Sequence, residues 1–459
     1  MNVTLKIMKP TVKPLKMKMN YSNLLIALII AVTSIFSSCT QTDPVNPEKD
    51  KPTEVIVIKD NGIGIGTTTW KSGNTYLLDG FCFVNSGQTL TIEAGAIIKG
   101  KAGQGESASA LIVARGGKIN AIGTVEKPII FTAEADSLNE NIKDNVRGLW
   151  GGLIVLGNAK LNTVPAEQQI EGIPTSEERG AFGGTNDNDN SGTLKYISIR
   201  HGGTDIGAGN EINGLTLGGV GSETTIDFIE ILANADDGIE FFGGTVGVKH
   251  VLAVDCGDDS FDYDMGYRGK GQFWVSLQAA DSDRNGEHDG GTDPETGTPY
   301  ATPTIYNVTY IGQNQGKVVT FRDNAGGYYY NSIFVNHAKG IDIEFLASGD
   351  DSYKQFEDGN LKIEDNVFYN IGGETDNSNP NIFLKAGADG GEDQNPVLAA
   401  YFNEHNIVSD PGVSKANPVP SNAKPANHEY RDSWFNSVDY AGAFGTDNWA
   451  KGWTLTFKD

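Results

Sequence analysis

The chain after about residue 56 alternates short apolar runs with turns that are rich in glycine. Tyr76–Val84, Leu90–Gly100 and Ala110–Ala114 are three such runs, in which Val, Ile, Leu and aromatic residues recur. β-Branched and aromatic residues favour strands, and glycine supplies the tight turns between them. Long stretches with an apolar period of about 3.6 residues, which would indicate amphipathic helices, are hard to find. The pattern therefore predicts an all-β protein.

A repeat organises the middle of the chain. Thr224–Gly244 aligns with Val246–Gly266 at an offset of 22 residues, and Thr304–Tyr310 aligns with Tyr328–Phe334 at an offset of 24. One coil of a parallel β-helix takes up about 20–25 residues and contains two or three short strands. We therefore expect a single right-handed parallel β-helix, with loop insertions and capped ends.

The same pattern sets the limits of the expected elements. The β-helix domain is predicted to span residues 56–459, because no change in composition divides that stretch. Ile56–Ile65 is predicted to cap its N-terminal end and Trp449–Phe457 its C-terminal end, since a bare terminal coil would template aggregation. Ser137–Arg147 and Ala166–Asp189 are expected to be loops that leave the coil.

The N-terminal part of the chain has a different composition. Five lysines precede the apolar run Leu24–Phe36, which is too short to span a bilayer comfortably but is typical of a signal peptide. Two serines and Cys39 follow, as in a bacterial lipobox, so residues 1–38 are predicted to be a lipoprotein signal peptide and Cys39 the lipidated residue. An ordinary signal peptide or an anchor helix is the alternative. Residues 39–55 are predicted to be a flexible tether that holds the protein at the cell envelope, at the outer membrane, facing the periplasm or the exterior.

The charge of the chain narrows the range of partners. The formal net charge is −24, and removal of the lysine-rich leader would make it more negative. Such an acidic body should repel nucleic acid and anionic surfaces unless divalent cations bridge the contact. Nucleic acid is therefore not an expected partner, and the oligomeric state stays open. Cys82 and Cys256 could pair or remain buried thiols.

Strand alternation assigns side chains to the two faces of each strand. With Ile239, Phe241, Phe261 and Tyr263 inside, the outward side chains of these and two later coils are Glu240, Asp262, Asp264, Arg322, Asp342 and Glu344. If the coils share one face, these residues form a column of carboxylates with one arginine. Carboxylates about 5 Å apart repel, which raises some pKa values or requires a cation. We predict that this column is a binding face, with the chemistry that calcium-dependent lyases or glycosidases need.

Four segments resemble a family of exported lipoproteins from Bacteroidetes and some marine bacteria, for which a right-handed parallel β-helix is predicted. The segments are Leu90–Gly100, Gly148–Ala159, Asn213–Gly221 and Asp236–Gly244. The resemblance covers nearly all of the mature chain. It implies the fold and the export of the protein, and it carries no established activity.

Two turn motifs are similar to elements of polygalacturonase-type β-helix hydrolases. Asn234–Ile239 and Gly257–Phe261 carry the similarity, one coil apart. It implies catalytic or sugar-orienting roles for Asp237, Asp258, Asp259, His288 and Arg322. The alternative is that Asp-Asp-Gly supplies turn chemistry, with the aspartate side chains capping backbone amides.

Two acidic loops suggest calcium sites. Asp281–Asp289 has oxygen-bearing residues at positions 1, 3 and 5 and glycine at position 6, as in the first half of an EF-hand loop. Its expected ligands are Asp281, Asp283, Asn285 and Asp289. Asp187–Gly192 is a shorter version of the same pattern, and a solvated acidic loop is the alternative in both places. We expect calcium as a structural ion and no organic cofactor.

These features favour binding over catalysis. The leading hypothesis is a membrane-tethered cell-envelope lipoprotein that binds an extracellular polymer, most simply a polysaccharide, with structural calcium. One alternative is a polysaccharide lyase or glycoside hydrolase that acts at the acidic face, and another is an adhesion or stalk protein without a catalytic site. Trp70, Trp150, Trp274 and Tyr328–Tyr330 are candidates for stacking on sugar rings, or else for filling the coil.

Overall fold

A computed structural model describes residues 54–204, 211–292, 294–387 and 391–458. The predicted signal peptide, the lipidation site Cys39 and all but the last two residues of the predicted tether lie outside the described residues. Within these ranges, none of the helices has the length and apolar character that crossing a membrane requires.

Strands dominate the described chain, as the alternation predicts. Among the described residues, 26 strands form one continuous hydrogen-bonded sheet and two form a small separate one. In chain order the strands are β1 (Val55–Ile58), β2 (Thr68–Trp70), β3 (Thr75–Leu78), β4 (Phe81–Val84), β5 (Thr89–Ile92), β6 (Ile97–Gly100), β7 (Ala110–Val113), β8 (Lys118–Ile122), β9 (Ile129–Ala133), β10 (Leu153–Leu156), β11 (Gln168–Gln169), β12 (Ala181–Phe182), β13 (Gly192–Arg200), β14 (Leu215–Gly218), β15 (Thr225–Leu232), β16 (Ile239–Phe242), β17 (Gly247–Val254), β18 (Phe261–Asp264), β19 (Lys270–Leu277), β20 (Arg284–Asp289), β21 (Thr304–Tyr306), β22 (Thr309–Arg322), β23 (Gly327–Tyr330), β24 (Ile333–Glu344), β25 (Leu361–Glu364), β26 (Val367–Ile371), β27 (Leu384–Gly387) and β28 (Ile407–Val408).

The large sheet is wound into three faces, which we call sheets A, B and C. Sheet A stacks β1, β3, β6, β9, β13, β15, β17, β19, β22, β24, β26 and β28. Sheet B stacks β4, β7, β10, β14, β16, β18, β20, β22, β24 and β27. Sheet C stacks β2, β5, β8, β13, β15, β17, β19, β21, β23 and β25. Every one of these pairings is parallel, so the predicted fold class, a parallel β-helix, is confirmed.

The register of the strands confirms the repeat. Ile226 pairs with Val248 on the next coil, and Thr304 pairs with Tyr328, at the offsets that the sequence predicts. Ile239, Phe241 and their stacked counterparts are buried in one continuous core inside the coil. Each large apolar side chain buried there contributes about 1.5–3 kcal/mol relative to an exposed one, so every added coil stabilises its neighbours.

Four long strands bend from sheet C into sheet A at one aromatic residue each. The bends are at Tyr196, Phe228, His250 and Phe273, whose φ angles of 52°, 57°, 48° and 61° are positive. Residues other than glycine rarely adopt this backbone conformation. Stacking offsets part of its cost, since the rings of Tyr196 and Phe228 lie 4.4 Å apart between centroids and those of Phe228 and His250 lie 4.2 Å apart.

Two short helices, which the apolar pattern does not predict, lie near the C-terminal end of the coil. They are α1 (Ser352–Glu357) and α2 (Asn395–His405). In α2, the buried Phe402 stacks on Phe383 at 4.7 Å and contacts Phe368, both of which belong to the core of the coil. Helix α2 therefore closes the C-terminal end.

The predicted C-terminal cap, Trp449–Phe457, is wrong in its location. Residues 409–458, which we call the C-terminal arm, return along the outside of the coil. The Trp449 ring lies against the rings of Phe228 and His250, and the backbone N–H groups of Leu455 and Thr456 donate to the carboxylate of the buried Glu230. The arm covers the outer side of sheet A, not the end of the β-helix.

The N-terminal end is occupied by the segment predicted to cap it. Strand β1 pairs with β3, and the half-buried side chains of Ile56, Ile58 and Ile65 pack against the core. The alternate side chains Val55 and Val57 remain 59% and 55% exposed, as period-two alternation at the edge of a sheet requires.

The predicted insertion Ala166–Asp189 leaves the coil and folds back onto sheet B. Its strands β11 and β12 pair antiparallel, and Phe182 packs on Phe242 with 6.1 Å between the ring centroids. Phe242 alternates with the inward Phe241 and so points outward, but the insertion leaves it only 6% exposed. The N-terminal half of the outer side of sheet B is therefore covered.

Candidate cation-binding face

The candidate site lies on the outer side of sheet B, where the predicted carboxylates stand in register. Glu240 pairs with Asp262, Asp262 with Glu287, Glu287 with Thr320 and Thr320 with Asp342. Because neighbouring strands are about 4.8 Å apart, each of these side chains lies beside the next. The predicted alignment of Glu240, Asp262 and Asp342 on one sheet is confirmed, and we call this row the acid face.

Three carboxylates at the N-terminal end of the acid face converge. Oxygens of Asp237, Glu240 and Asp262 all lie within 4.8 Å of one another. Asp258 meets Asp236 and Asp237 at the same spacing, and it also meets Asp259 and Asp283. These groups form one connected acid cluster along the turn between sheets A and B.

Burial makes the cluster expensive to ionise. Desolvation, and after it the neighbouring carboxylates, raise the pKa values of Asp237, Glu240 and Asp262 well above their usual range. The same causes raise the pKa of Asp236 to about 8. At neutral pH the cluster therefore either keeps protons or needs a cation to compensate it.

The insertion adds a carboxylate that the sequence pattern does not reveal. Nδ2 of the buried Asn213 donates to Glu171 Oε1 at 3.1 Å and to Glu240 Oε2 at 2.5 Å, so one carboxamide holds two carboxylates together. Desolvation raises the pKa of Glu171 as well. Glu171 follows strand β11, far from Glu240 in the sequence, so the repeat offers no signal for this contact.

Asp237 and Asp259, two of the predicted catalytic residues, cap backbone amides in the turns, which is the predicted alternative to catalysis. Asp237 Oδ1 accepts the N–H of Asp259 at 2.9 Å, and Asp259 Oδ1 accepts the N–H of Arg284 on the next coil at 2.8 Å. Their exposed fractions are 6% and 2%. Asp237 and Asp259 are thus closed to a polymer, which argues against the catalytic roles implied for them. Asp258, the third member, is exposed.

Arg322, which the sequence analysis assigns to both the site and the binding face, is held by carboxylates. Its Nε and Nη2 donate to the two oxygens of Asp289 at 2.6 Å and 3.0 Å, and its Nη1 lies 2.8 Å from Glu287. Hydrogen bonds and the charges of Asp289 and Asp262 raise the pKa of Arg322, against an opposing effect of burial. A guanidinium in this setting serves as a cation and does not accept a proton.

The remaining residues of the predicted face differ in access. Asp264 is 8% exposed, and its carboxylate accepts from Thr292 in the loop that follows β20, so it is covered. Asp342 pairs with Lys317 at 2.6 Å and is 20% exposed at its side chain. Glu344 is half-buried and accepts the N–H of Asp323 at 2.9 Å. The accessible part of the acid face therefore begins at Asp262 and continues toward the C-terminal coils.

The predicted EF-hand-like loop is wrong in its secondary structure. Its second half forms β20, one rung of sheet B. Asp281 pairs with Arg147, Asp283 pairs with Arg284, and Asn285 is buried and donates to Ser276 Oγ at 2.7 Å. The four expected ligands, the last of which is Asp289 beside Arg322, do not converge on one point. The hydrogen bonds between coils outweigh the local loop pattern.

The shorter acidic loop, Asp187–Gly192, is a hydrogen-bonded turn. Asp187 Oδ1 accepts the N–H of Lys160 at 2.9 Å, and Asp189 Oδ1 accepts from Asn158 at 2.9 Å. Asn190 Oδ1 accepts the N–H of Gly192 at 2.9 Å. These oxygens accept hydrogen bonds from groups that flank the insertion and are already occupied.

His288 and the predicted stacking aromatics belong to the interior. The His288 ring stacks on Tyr263 at 3.7 Å and its Nε2 bonds to the hydroxyl of Tyr329 at 2.7 Å, while burial lowers its pKa well below the usual range. It cannot orient a sugar on the outside. The three tryptophans proposed for stacking, Trp70, Trp150 and Trp274, are at most 2% exposed, and of Tyr328–Tyr330 only Tyr328 is half-exposed. Core filling, the alternative given for the tryptophans, is correct.

The two cysteines of the described chain are free and buried. Burial raises the pKa of Cys82 to about 11 and that of Cys256 to about 12. Neither forms a disulfide, so the second of the two outcomes left open by the sequence is the one observed.

A comparison with protein families agrees with this geometry. The family model described as a pectate-lyase-like β-helix domain matches residues 63–454, which is most of the chain. This chain belongs to the pectate-lyase-like β-helix family. Neither the curated proteins nor the solved structures contain a significant match. Family membership agrees with a role connected with polysaccharides. It does not identify a reaction or a ligand, which have to be inferred from the geometry of the site.

Proposed function

We propose that this protein is a cell-envelope lipoprotein that binds an anionic extracellular polysaccharide through divalent cations, calcium first among them, on the acid face. The observation that carries the proposal is the convergence of Asp237, Glu240 and Asp262, whose oxygens lie within 4.8 Å of one another. Calcium takes six to eight oxygen ligands, mostly carboxylates and carbonyls, and it tolerates irregular geometry. Asp237 and Glu240 are buried, so the acid groups of a polymer could reach the remaining coordination positions only from the side of Asp262, where the accessible part of the acid face begins.

The electrostatics of the chain support a cation-dependent contact. A protein with a formal charge of −24 repels a polyanion, and the carboxylates of the acid face add to that repulsion. A divalent cation removes that repulsion, and it also lowers the free-energy cost of ionising the buried carboxylates of the cluster. Arg322, 43% exposed at its side chain, offsets part of the negative charge of Glu287 and Asp289 beside the cluster.

The cation test uses the mature chain with and without chelator. We expect calcium to raise the melting temperature. When calcium is at one hundred times its dissociation constant, the free energy of unfolding should rise by about 2.7 kcal/mol. The effect should grow with pH, because the raised pKa values mean that calcium must displace protons. The double variant Glu240→Gln/Asp262→Asn should lose it, whereas Glu223→Gln, at an exposed position away from the cluster, should keep it.

The polymer test uses electrophoresis in gels that contain polygalacturonate or another uronate polymer. Calcium should retard the wild-type protein, and chelator should abolish the retardation. A stable, folded protein that neither binds calcium nor is retarded would contradict the proposal and would favour the adhesion or stalk alternative.

The alternative activity, a polysaccharide lyase, is favoured only by family membership. A lyase needs a base that removes a proton next to the uronate carboxylate, and the raised pKa of Arg322 makes that residue unsuitable. The same incubations distinguish the two functions. Unsaturated products that absorb in the ultraviolet would establish a lyase, and retardation without cleavage would establish a binder.

A further inference from the structure

The C-terminal arm forms an open cleft that is separate from the acid face. Its volume is about 710 Å³, and its walls include Pro420, Lys424, Pro425, Asp439 and Tyr440. Ligand pockets of proteins usually have volumes of about 300–1,000 Å³ and apolar walls with a few polar groups. The cleft has this size and this composition.

Backbone hydrogen bonds hold the walls of the cleft in place. The N–H of Ala426 donates to Asp439 O at 3.1 Å, and the N–H of Ala441 donates to Lys424 O at 2.8 Å, so the two passes of the arm are tied together. The N–H of Gly442 donates to Asn331 O at 2.7 Å, which fixes the arm to the coil. Two prolines further restrict the wall. The cleft is therefore formed before a ligand arrives, which reduces the entropy cost of binding.

The polar groups of the cleft are available. Among the described residues, the ammonium group of Lys424, the carboxylate of Asp439 and the hydroxyl of Tyr440 have no protein hydrogen bond or ion pair. The half-buried Tyr440 ring packs against the apolar cluster beneath the arm. The cleft thus combines the exposed part of an aromatic ring with a cation, an anion and a hydroxyl group.

We propose that this cleft binds an uncharged pyranose unit of a glycan. A pyranose ring has an apolar C–H face that suits an aromatic side chain, and its hydroxyl groups can both donate and accept hydrogen bonds. Lys424 and Asp439 cancel in charge, and the field of a chain with net charge −24 disfavours an anionic ligand. The arm thereby offers the aromatic contact that the buried side chains of Trp70, Trp150 and Trp274 cannot offer.

Saturation-transfer NMR on the mature protein tests the proposal. The probes are neutral oligosaccharides of glucose, mannose, galactose and xylose, measured with and without chelator. We expect saturation transfer to at least one of these oligosaccharides, and chelator should not change it. The double variant Lys424→Ala/Asp439→Ala should bind at least about tenfold more weakly than wild type. Tyr440→Phe keeps the ring packing and should weaken binding through loss of the hydroxyl group alone.

Controls separate this site from the acid face and from misfolding. Lys118→Ala removes an exposed lysine of β8 and should change nothing, and every variant should keep the wild-type melting temperature. The proposal is overturned if no neutral probe shows transfer, if the double variant binds as wild type does, or if chelator abolishes binding. Because the acid face requires a cation and this cleft does not, either proposal can fail while the other stands.

Discussion

Asp237 illustrates how one side chain serves structure and candidate chemistry together. Its Oδ1 accepts the N–H of Asp259 at 2.9 Å, and its carboxylate belongs to a group that also contains Glu240 and Asp262. The hydrogen bond connects adjacent coils, and the carboxylate charge is what a cation would bind. A substitution that removes the charge of Asp237 and keeps a hydrogen-bond acceptor, such as Asp237→Asn, therefore distinguishes the two roles.

The pH dependence of stability at this residue has a definite sign. Burial raises the pKa values of Asp237 and Asp259, the latter to about 8, so the folded state binds more protons than the unfolded state. In the presence of chelator, the contribution of these two groups to stability should therefore be fully present below about pH 4, the pKa of an aspartate in the unfolded chain. It should be lost as the pH rises toward about 8.

Two substitutions at Asp237 test this interpretation in chelator, by thermal and urea unfolding between about pH 5 and pH 8. Asp237→Asn keeps an acceptor and removes the charge, so it should flatten the loss of stability with pH. Asp237→Ala also removes the charge but leaves the N–H of Asp259 without a partner, so it should be about 1–3 kcal/mol less stable than Asp237→Asn at every pH. A pH dependence unchanged in Asp237→Asn would show that the charge of Asp237 is not costly, and equal stability of the two variants would show that its hydrogen bond contributes nothing.

At the scale of elements, helix α2 replaces the strand that the last coil lacks. The coil ends where β27 and β28 have no further strand above them in the described chain. Leu398 and Phe402 of α2 are fully buried there, whereas Val397 on the same helix is 50% exposed. The helix therefore excludes water from the end of the core and blocks strand addition at that edge.

The matched pair Phe402→Ala and Val397→Ala tests the capping role. Phe402→Ala removes a ring that contacts two core phenylalanines and should destabilise the protein by about 3–5 kcal/mol. It should also promote aggregation through the exposed end. Val397→Ala should change stability by no more than about 0.5 kcal/mol. Melting temperature and light scattering measure both effects, and a harmless Phe402→Ala would assign the cap elsewhere.

For the whole molecule, what matters is which outer faces stay accessible. The arm covers apolar residues on the outside of sheet A, among them Leu252, Val275 and Val335. The insertion covers the N-terminal half of sheet B through Phe182 and its neighbours. The accessible part of the acid face lies between these coverings, so loops and arm decide where a polymer can make contact.

Truncation tests the covering role of the arm. A chain that ends at residue 408 should expose the apolar surface of sheet A and should self-associate in size-exclusion chromatography. The control Lys458→Ala loses an exposed ion pair with Glu140 and should behave as wild type. A monomeric, stable protein after the long truncation would show that the arm is not needed to cover sheet A.

Short-range regularity explains what the sequence determined. Period-two alternation and an offset of 22 residues are local properties of a coil, so the parallel β-helix, the inward position of Phe241 and the alignment of Glu240 with Asp262 could be read directly from the chain. Each coil repeats the environment of the last, which is why the prediction extended over most of the described residues.

Tertiary structure decided everything that depends on contacts between distant segments. Glu171 reaches Glu240 only because the insertion folds back, Arg322 is neutralised by Asp289 only because β20 is a rung and not a loop, and the arm follows sheet A and not the end of the coil. Local patterns such as Asp281–Asp289 were misleading because hydrogen bonds to adjacent coils outweigh loop propensity. The sequence by itself thus determined the coil and the acids that it aligns, and the packing of its excursions decided which of those acids remain accessible.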